Sequence, residues 1–256
     1  MSFWSQVTVV MITLEAEALI AEALASVPPE AERLVADGGS KDATIRLAHQ
    51  AGARIVDQNL DAVARAGGNF DVARNAAADL AARDWIFFLD ADERISPALA
   101  DEIAALSDNT QAAACSMPRS NLFWGKPVRL LGEDRQIRLL HKCAGSYRGR
   151  RLHRQPEIDG QVLPLQSALV HLNWRHCSDI RLRFRRYLPL ETGHCDEAGG
   201  RVRGVRRALT MFRYYYYRQQ AFRDGWRGLV VSLVYAVYHG AILWQAPKNA
   251  RDDNHA

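Results

Sequence analysis

An Asp-x-Asp pair stands directly after an unbroken apolar run: Trp85-Ile86-Phe87-Phe88-Leu89 leads into Asp90-Ala91-Asp92-Glu93. Two more polar clusters follow β-branched runs in the same way, Thr13-Leu14-Glu15 and Asp37-Gly38-Gly39-Ser40-Lys41-Asp42. Carboxylates repel phosphates unless a cation lies between them. Anchored at the end of a rigid strand, they supply the hard oxygen ligands with which Mg²⁺ or Mn²⁺ bridges a diphosphate. Many surface turns carry an Asp-x-Asp. Here the pair ends a fully apolar run and Asp37 ends another, which favours a metal and donor site at Asp90 and Asp92 over helix capping. Neither a Gly-x-Gly-x-x-Gly fingerprint nor a phosphate loop ending in Lys-Ser/Thr follows the first run, which argues against a dinucleotide oxidoreductase or a P-loop enzyme.

These clusters need a scaffold, and the sequence alternates accordingly. Apolar, β-branched or aromatic runs at 7–13, 33–36, 54–56 and 85–89 are separated by amphipathic stretches at 16–26, 42–51 and 70–82. The rhythm predicts an α/β domain with a mostly parallel sheet and helices on both faces. Such sheets bind ligands beyond the carboxyl ends of their strands, where the three clusters fall. Ser96-Pro97 offers an N-cap and a first helical residue for a helix through 98–106. Further strands are expected at 112–117 and 136–140, with loops dominating between 119 and 173.

The remainder differs in kind. Residues 1–110 hold 8 Lys/Arg against 18 Asp/Glu, and the rest of the 256-residue chain holds 25 against 11, so a net charge of +4 divides into −10 and +14. Between Arg175 and Arg227 there are 13 arginines against 5 acids, interleaved with tyrosines that include Tyr214 to Tyr217. This segment is expected to be mainly helical and either to meet an anionic membrane surface, since Arg and Tyr together suit a headgroup boundary, or to cap the sheet with its Tyr rings partly buried; the two readings are compatible. The apolar stretch 229–244, interrupted by Ser232, His239 and Gly240, falls short of the roughly 20 residues that span a bilayer, so it lies on a membrane or packs on the core. The domain division expected is a catalytic domain at 1–175 and a basic, aromatic helical extension at 176–256. Four scattered cysteines, Cys115, Cys143, Cys177 and Cys195, have no paired spacing and read as free thiols in a reducing cytoplasm; a zinc site from Cys177 and Cys195 with His176 and His194 is the lesser reading. The N-terminus has no basic region ahead of its first apolar run, so no cleavable signal is expected.

Taken in order, Val35 to Thr44, Ala73-Arg74-Asn75, Trp85 to Ile95, Asp134-Arg135-Gln136-Ile137-Arg138-Leu139 and Asp224-Gly225-Trp226-Arg227-Gly228 resemble glycosyltransferase family 2. The branch they resemble contains the lipopolysaccharide inner-core beta-1,4-glucosyltransferases. The resemblance implies a GT-A nucleotide-diphospho-sugar transferase fold and an inverting transfer of a hexose, glucose by preference, from a donor such as UDP-glucose to a lipopolysaccharide-core or other lipid-linked glycan. It implies a donor site of Thr13, Glu15, Asp37, Ser40, Asp42, Arg74, Asn75 and Asp90, with Asp37 on the base, Asp90 toward ribose and metal, and Asp92 on the metal. It also implies work at the inner face of a bacterial inner membrane. The family usually has Asn where Glu15 stands and an acid where Ala16 stands.

An Arg near the donor diphosphate suits Arg74, because guanidinium pairs bidentately with phosphate. An inverting transfer needs a base for the acceptor hydroxyl; Asp134 is the first candidate and Glu133 the second. A related pattern places His-Glu further on, where this chain has His153-Arg154, and Glu157 is a possible substitute. His171 and His176 are read as structural. Two other classes compete: a sugar nucleotidyltransferase, which would carry a Gly-rich basic loop after the first strand, and a non-enzymatic membrane- or nucleic-acid-binding protein built on the Arg/Tyr segment. An acidic front half argues against nucleic acid as a partner.

Overall fold

The computed structural model describes residues 1–58, 60–65, 70–107, 110–128, 134–147, 155–193, 195 and 197–246. Two units divide the chain: Met1–Ser120 with Asp134–His171, and Asn121–Glu133 with Leu172–Ala256. The chain runs through β1 (Val7–Thr13), α1 (Ile20–Ala25), β2 (Glu32–Asp37), α2 (Thr44–Gln50), β3 (Arg54–Asp57), α3 (Leu60–Arg65), α4 (Asp71–Asp79), β4 (Trp85–Phe88), β5 (Glu93–Ile95), α5 (Pro97–Ala104) and β6 (Ala114–Phe123). It continues through β7 (Lys126–Pro127), β8 (Arg135–His141), β9 (Gly145–Ser146), β10 (Glu157–Ile158), β11 (Val162–Pro164) and β12 (Leu169–Trp174). Three long helices close the described chain, α6 (Cys177–Gly193), α7 (Arg201–Arg213) and α8 (Gly225–Gln245).

In the first unit β3-β2-β1-β4 are parallel, and β8 inserts antiparallel between β4 and β6. Strands β1 and β4 are mostly apolar and buried, as is the second half of β2, because both faces are covered there, while the edge strand β3 leaves Arg54 and Asp57 exposed. Val9, Met11, Val35, Phe87 and Leu139 meet Ile20, Leu24, Ala48 and Leu99 of the helices on one side. Val10, Leu34, Ile86, Phe88 and Leu140 meet Ala77, Ala81 and Tyr147 on the other. This is the expected α/β architecture of GT-A type, a mostly parallel sheet between helical layers. The Ser96 hydroxyl accepts the Leu99 N–H at 3.2 Å with Pro97 opening α5, as the sequence indicates.

Other boundaries move, for reasons of tertiary bonding. The helix expected at 16–26 starts only at Ile20, because the Ala16 N–H donates to Thr44 Oγ1 at 2.8 Å and the Glu17 N–H to Asp42 Oδ2 at 3.1 Å. The helix expected at 70–82 stops at Asp79, after which Ala82 N–H donates to Glu32 Oε2 at 2.8 Å. Strand β8 covers the one expected at 136–140, while the rest of the region read as loops holds β7 and β9 to β12, whose two- to six-residue lengths are too short to show alternation.

The second unit has its own core: Phe123, Val128, Trp174, Tyr215, Ala221, Val231 and Tyr235. Helices α7 and α8 approach closely, since a Cβ added to Gly204 would lie 2.8 Å from the Gly240 carbonyl oxygen. Only glycine admits backbones at that separation. The last apolar run is longer as a helix than as a sequence: residues 221–245 are helical and, by length and composition alone, long enough to cross a membrane, with 44% of an apolar 18-residue stretch buried inside the protein.

Candidate active site

The three clusters gather at the carboxyl ends of β1, β2 and β4, as the parallel register requires, with Thr13 level with Asp37. Asp37 is 5% exposed and organises the turn after β2. Its Oδ2 accepts the N–H groups of Gly39 and Ser40 at 2.8 and 2.7 Å, and its Oδ1 accepts the hydroxyls of Ser40 and Thr13 at 2.6 and 3.2 Å. Both oxygens of this predicted base-contacting residue therefore hold the loop. Glu15 sits in the left-handed region at φ 52°, its N–H donating to Ser40 Oγ at 2.8 Å and its Oε1 accepting the Lys41 N–H at 2.8 Å. Asp42 Oδ1 accepts the Thr44 N–H at 2.9 Å in the turn that leads into α2. Together these bonds lace the loops after β1 and β2 into one wall. Beside it lies a cleft of about 670 Å³ lined by Gly38, Gly39, Asp57, Leu60, Asp61 and Leu80. The buried Gln58 Oε1, packed so close to Gly38 that a Cβ there would meet it at 2.5 Å, has no hydrogen-bond partner among the described residues.

At the end of β4 the charges form a chain. Arg138 on β8 is 7% exposed and places Nη2 2.6 Å from both Asp90 Oδ2 and Glu93 Oε1. Glu93 is completely buried, and its Oε2 accepts the Asp90 N–H at 3.2 Å. Arg119 Nη1 lies 3.8 Å from Glu93 Oε1, while its Nε donates to Asp134 Oδ2 at 2.7 Å. On the other side Arg74 Nη2 is 3.6 Å from Asp90 Oδ1, with the guanidinium 5.3 Å from the Tyr147 ring centroid. Acid and base thus alternate from Asp134 through Arg119, Glu93, Arg138 and Asp90 to Arg74.

Burial pushes the Asp90 carboxyl up, but Arg138 and then Arg74 outweigh it and hold it down at about 2. Glu93 moves the other way: burial raises it, and its bond to Arg138 only partly offsets this, with Asp90 and Asp92 adding repulsion. Arg138 itself is held well above its usual value, since the attraction of Asp90 and Glu93 exceeds the penalty of burial.

Not every sequence-predicted residue points into this site. Asn75 spends its amide on the backbone of Tyr147, donating to its oxygen at 2.8 Å and accepting its N–H at 3.0 Å, which fixes the ring under Arg74. Asp134 is present with Oδ1 bonded to the Gln136 amide at 2.7 Å. Glu133, His153 and Arg154 lie outside the described residues, and Glu157 is exposed on β10. Arg119 and His171 were not anticipated. The His171 Nε2 is 3.4 Å from Asp92 Oδ2, because β12 pairs antiparallel with β5 and sets His171 level with Glu93. No local signal could have revealed either residue, since both arrive by long-range strand pairing. Among the described residues no three His, Cys, Asp or Glu side chains converge as metal ligands. Cys177 and Cys195 are free thiols, and His194 lies outside the described residues.

The family described as Glycosyl transferase family 2 matches residues 8–161, more than half of the chain and all of the acidic strand ends. The chain belongs to glycosyl transferase family 2. Over 242 residues it is 24% identical to the lipopolysaccharide core biosynthesis glycosyltransferase LpsC of Rhizobium meliloti, covering 89% of this chain and 87% of that protein. Over 123 residues it is 33% identical to a TPR repeat-containing protein of Synechococcus elongatus, covering 48% of this chain and 29% of the relative, so it spans less than a third of that protein's length. Among solved structures it is similar to residues 1–349 of S. aureus TarS, with a TM-score of 0.47 at 13% identity over 94% of this chain and 89% of that one. A mannosyltransferase from Pyrobaculum calidifontis in complex with GDP-Man and Mn²⁺ also scores 0.47, at 15% identity over 92% and 73% of the two chains.

Proposed function

We propose that this family 2 chain is an inverting, metal-dependent hexosyltransferase that moves glucose from UDP-glucose to a lipopolysaccharide-core or other lipid-linked glycan at the inner face of a bacterial inner membrane. The observation that carries the reading is the charge chain in which the conformation of Asp90, and with it the Asp-x-Asp turn, is held by the buried Arg138–Glu93 pair. The similarity to LpsC along most of both chains supports the acceptor class. The cleft beside Gly38 and Gly39, with the unpartnered Gln58 oxygen nearby, is suited to the donor base.

Asp92 Oδ2 and His171 Nε2 supply one oxygen and one nitrogen 3.4 Å apart on a partly open surface. Asp92, with His171 beside it, would hold a divalent ion at this surface. When bound, the ion would neutralise charge on the leaving nucleoside diphosphate. Arg74, within reach of Asp90, adds a guanidinium to the same charge. Asp134 accepts the acceptor's hydroxyl proton as the acceptor oxygen bonds to the anomeric carbon and the bond to the diphosphate breaks. To do so it exchanges its bond with Arg119 Nε for the hydroxyl, which makes Arg119 the residue that holds the base in place before the acceptor arrives.

Calorimetric titration with UDP-glucose, with and without Mn²⁺, tests the donor site. Metal-dependent binding that Asp92→Ala abolishes is the expected result. Binding that needs no metal and survives Asp92→Ala, or no binding to any nucleotide sugar in a panel, overturns it.

A further inference from the structure

The second unit carries an apolar surface that its own fold does not cover. On α8, Gly228, Val231, Ser232, Tyr235, Ala236, Tyr238, Gly240 and Leu243 are buried. The residues between them are not: Trp226, Leu229, Leu233, Val237 and Trp244 are 57, 38, 45, 55 and 50% exposed. At about 100° per residue these five fall within one stripe, and at 1.5 Å per residue the stripe is roughly 27 Å long. On α7 a second stripe follows the same spacing, with Val202, Val205 and Leu209 at 73, 49 and 62% exposure. The two stripes meet. Gly204 comes so close to α8 that an added Cβ would lie 3.0 Å from Trp244 Cβ, and Arg201, next to Val202, lays its guanidinium 5.8 Å from the Trp244 ring centroid.

The two helices that carry this surface bear charge of one sign, although Glu197 pairs with Arg207 at 3.0 Å and Asp224 precedes α8. Helix α7 has five arginines in thirteen residues and no acid, and α8 has Arg227 and no acid. Arg227 stacks on Trp226 at 4.6 Å, holding a cation and an indole side by side. Tyr217 and Phe222, 61 and 46% exposed, extend the aromatic rim between the helices. A predominantly basic rim repels the same face of a second copy of this chain. A basic rim around exposed Leu, Val and Trp, with aromatic rings at its edge, matches the boundary between anionic headgroups and acyl chains. Spanning fits poorly, since 44% of the apolar 18-residue stretch is buried inside the protein and one side of α8 is left for lipid.

We propose that α7 and α8 lie together in the plane of an anionic bilayer surface, with the Trp226–Trp244 and Val202–Leu209 stripes inserted beneath the headgroups and the arginines on phosphate. This deepens the membrane location given above and rests on it, but not on the identity of the donor or acceptor. The test is sedimentation of the full chain with phosphatidylcholine vesicles, with and without phosphatidylglycerol. The expected result is binding to the anionic vesicles only, weakened by salt, with a loss of about tenfold or more in Leu233→Glu/Val237→Glu and a smaller loss in Arg206→Gln/Arg213→Gln. Both sites are exposed, so unchanged circular dichroism and unchanged UDP-glucose binding show that the fold and the donor site survive. The proposal is overturned by absence of vesicle binding, by binding indifferent to the Leu233 and Val237 changes, by membrane retention through alkaline carbonate extraction, which marks a spanning helix, or by self-association in the ultracentrifuge that the Leu233 and Val237 changes abolish. Vesicle binding without UDP-glucose binding would sink the donor assignment and leave the docking surface standing.

Discussion

Replacing Arg138 by Met keeps the length and much of the volume of the side chain but removes the cation shared by Asp90 and Glu93. Asp90 keeps Arg74 at 3.6 Å and some water, its side chain being 34% exposed. Glu93 keeps the Asp90 N–H at 3.2 Å and, as its nearest remaining cation, Arg119 at 3.8 Å, and its side chain has no exposure at all. Breaking a buried ion pair from one side costs about 3–5 kcal/mol, a large part of the roughly 5–15 kcal/mol that holds a folded protein. Arg138→Met/Glu93→Gln removes the stranded charge as well, leaving mainly lost hydrogen bonds, so it should recover about 2–3 kcal/mol of that loss. The pH dependence has a definite sign. Glu93 already titrates above its ordinary 4.5, and loss of Arg138 raises it further. The cost of its buried charge is absent below 4.5 and grows as pH rises toward the folded-state value, so the deficit of Arg138→Met should narrow as pH falls toward 4.5. Urea denaturation followed by tryptophan fluorescence across this range measures all three quantities. A loss below about 1 kcal/mol in Arg138→Met, or a double variant no more stable than the single one, would refute the buried-pair reasoning.

Acid should destabilise the wild type through Asp90. Its folded value is depressed from 3.8 to about 2, so its contribution is present above 3.8 and is lost as pH falls through about 2. The shift corresponds to at most ~2.4 kcal/mol, and solvent at the one-third exposed carboxylate reduces this to about 1 kcal/mol, readable as the difference between wild type and Asp90→Asn in acid denaturation. Glu15→Asn should raise stability by about 0.5 kcal/mol, because Asn tolerates the left-handed backbone that Glu15 adopts at φ 52°; a lower melting temperature would show that the Glu15 bond to Lys41 N–H matters more. Gly204→Val should cost about 2 kcal/mol or more, since even its Cβ would press on the Gly240 carbonyl at 2.8 Å; denaturant midpoints equal to wild type would show that α7 and α8 separate freely.

How much of this could be read from residues alone follows from the range of the forces involved. The parallel strands, the start of α5 and the placing of acids at strand ends are local facts. A run buried on both faces must be mostly apolar, and polar residues that no neighbouring element pairs can only stand where it ends. Ser96 and Pro97 specify a helix start by bonds three residues away. The resemblance in Asp37, Asp90, Asp92 and Asp134 likewise rests on ordered, local motifs. Tertiary structure alone decided what those acids face. Arg138 reaches Asp90 and Glu93 because β8 turns antiparallel beside β4, pairing Leu139 with Phe87 across a separation of about 50 residues that no periodicity records. Arg119 and His171 reach Glu93 and Asp92 by the same kind of long-range pairing, while Asn75 is drawn to the backbone of Tyr147. The same holds for the second unit, where composition announced arginines, tyrosines and an apolar run. Which side of α8 is buried, and that Trp226, Leu233 and Val237 stay outside, depends on the close approach of Gly204 and Gly240, because a helix acquires an inward face only when its neighbour is in place.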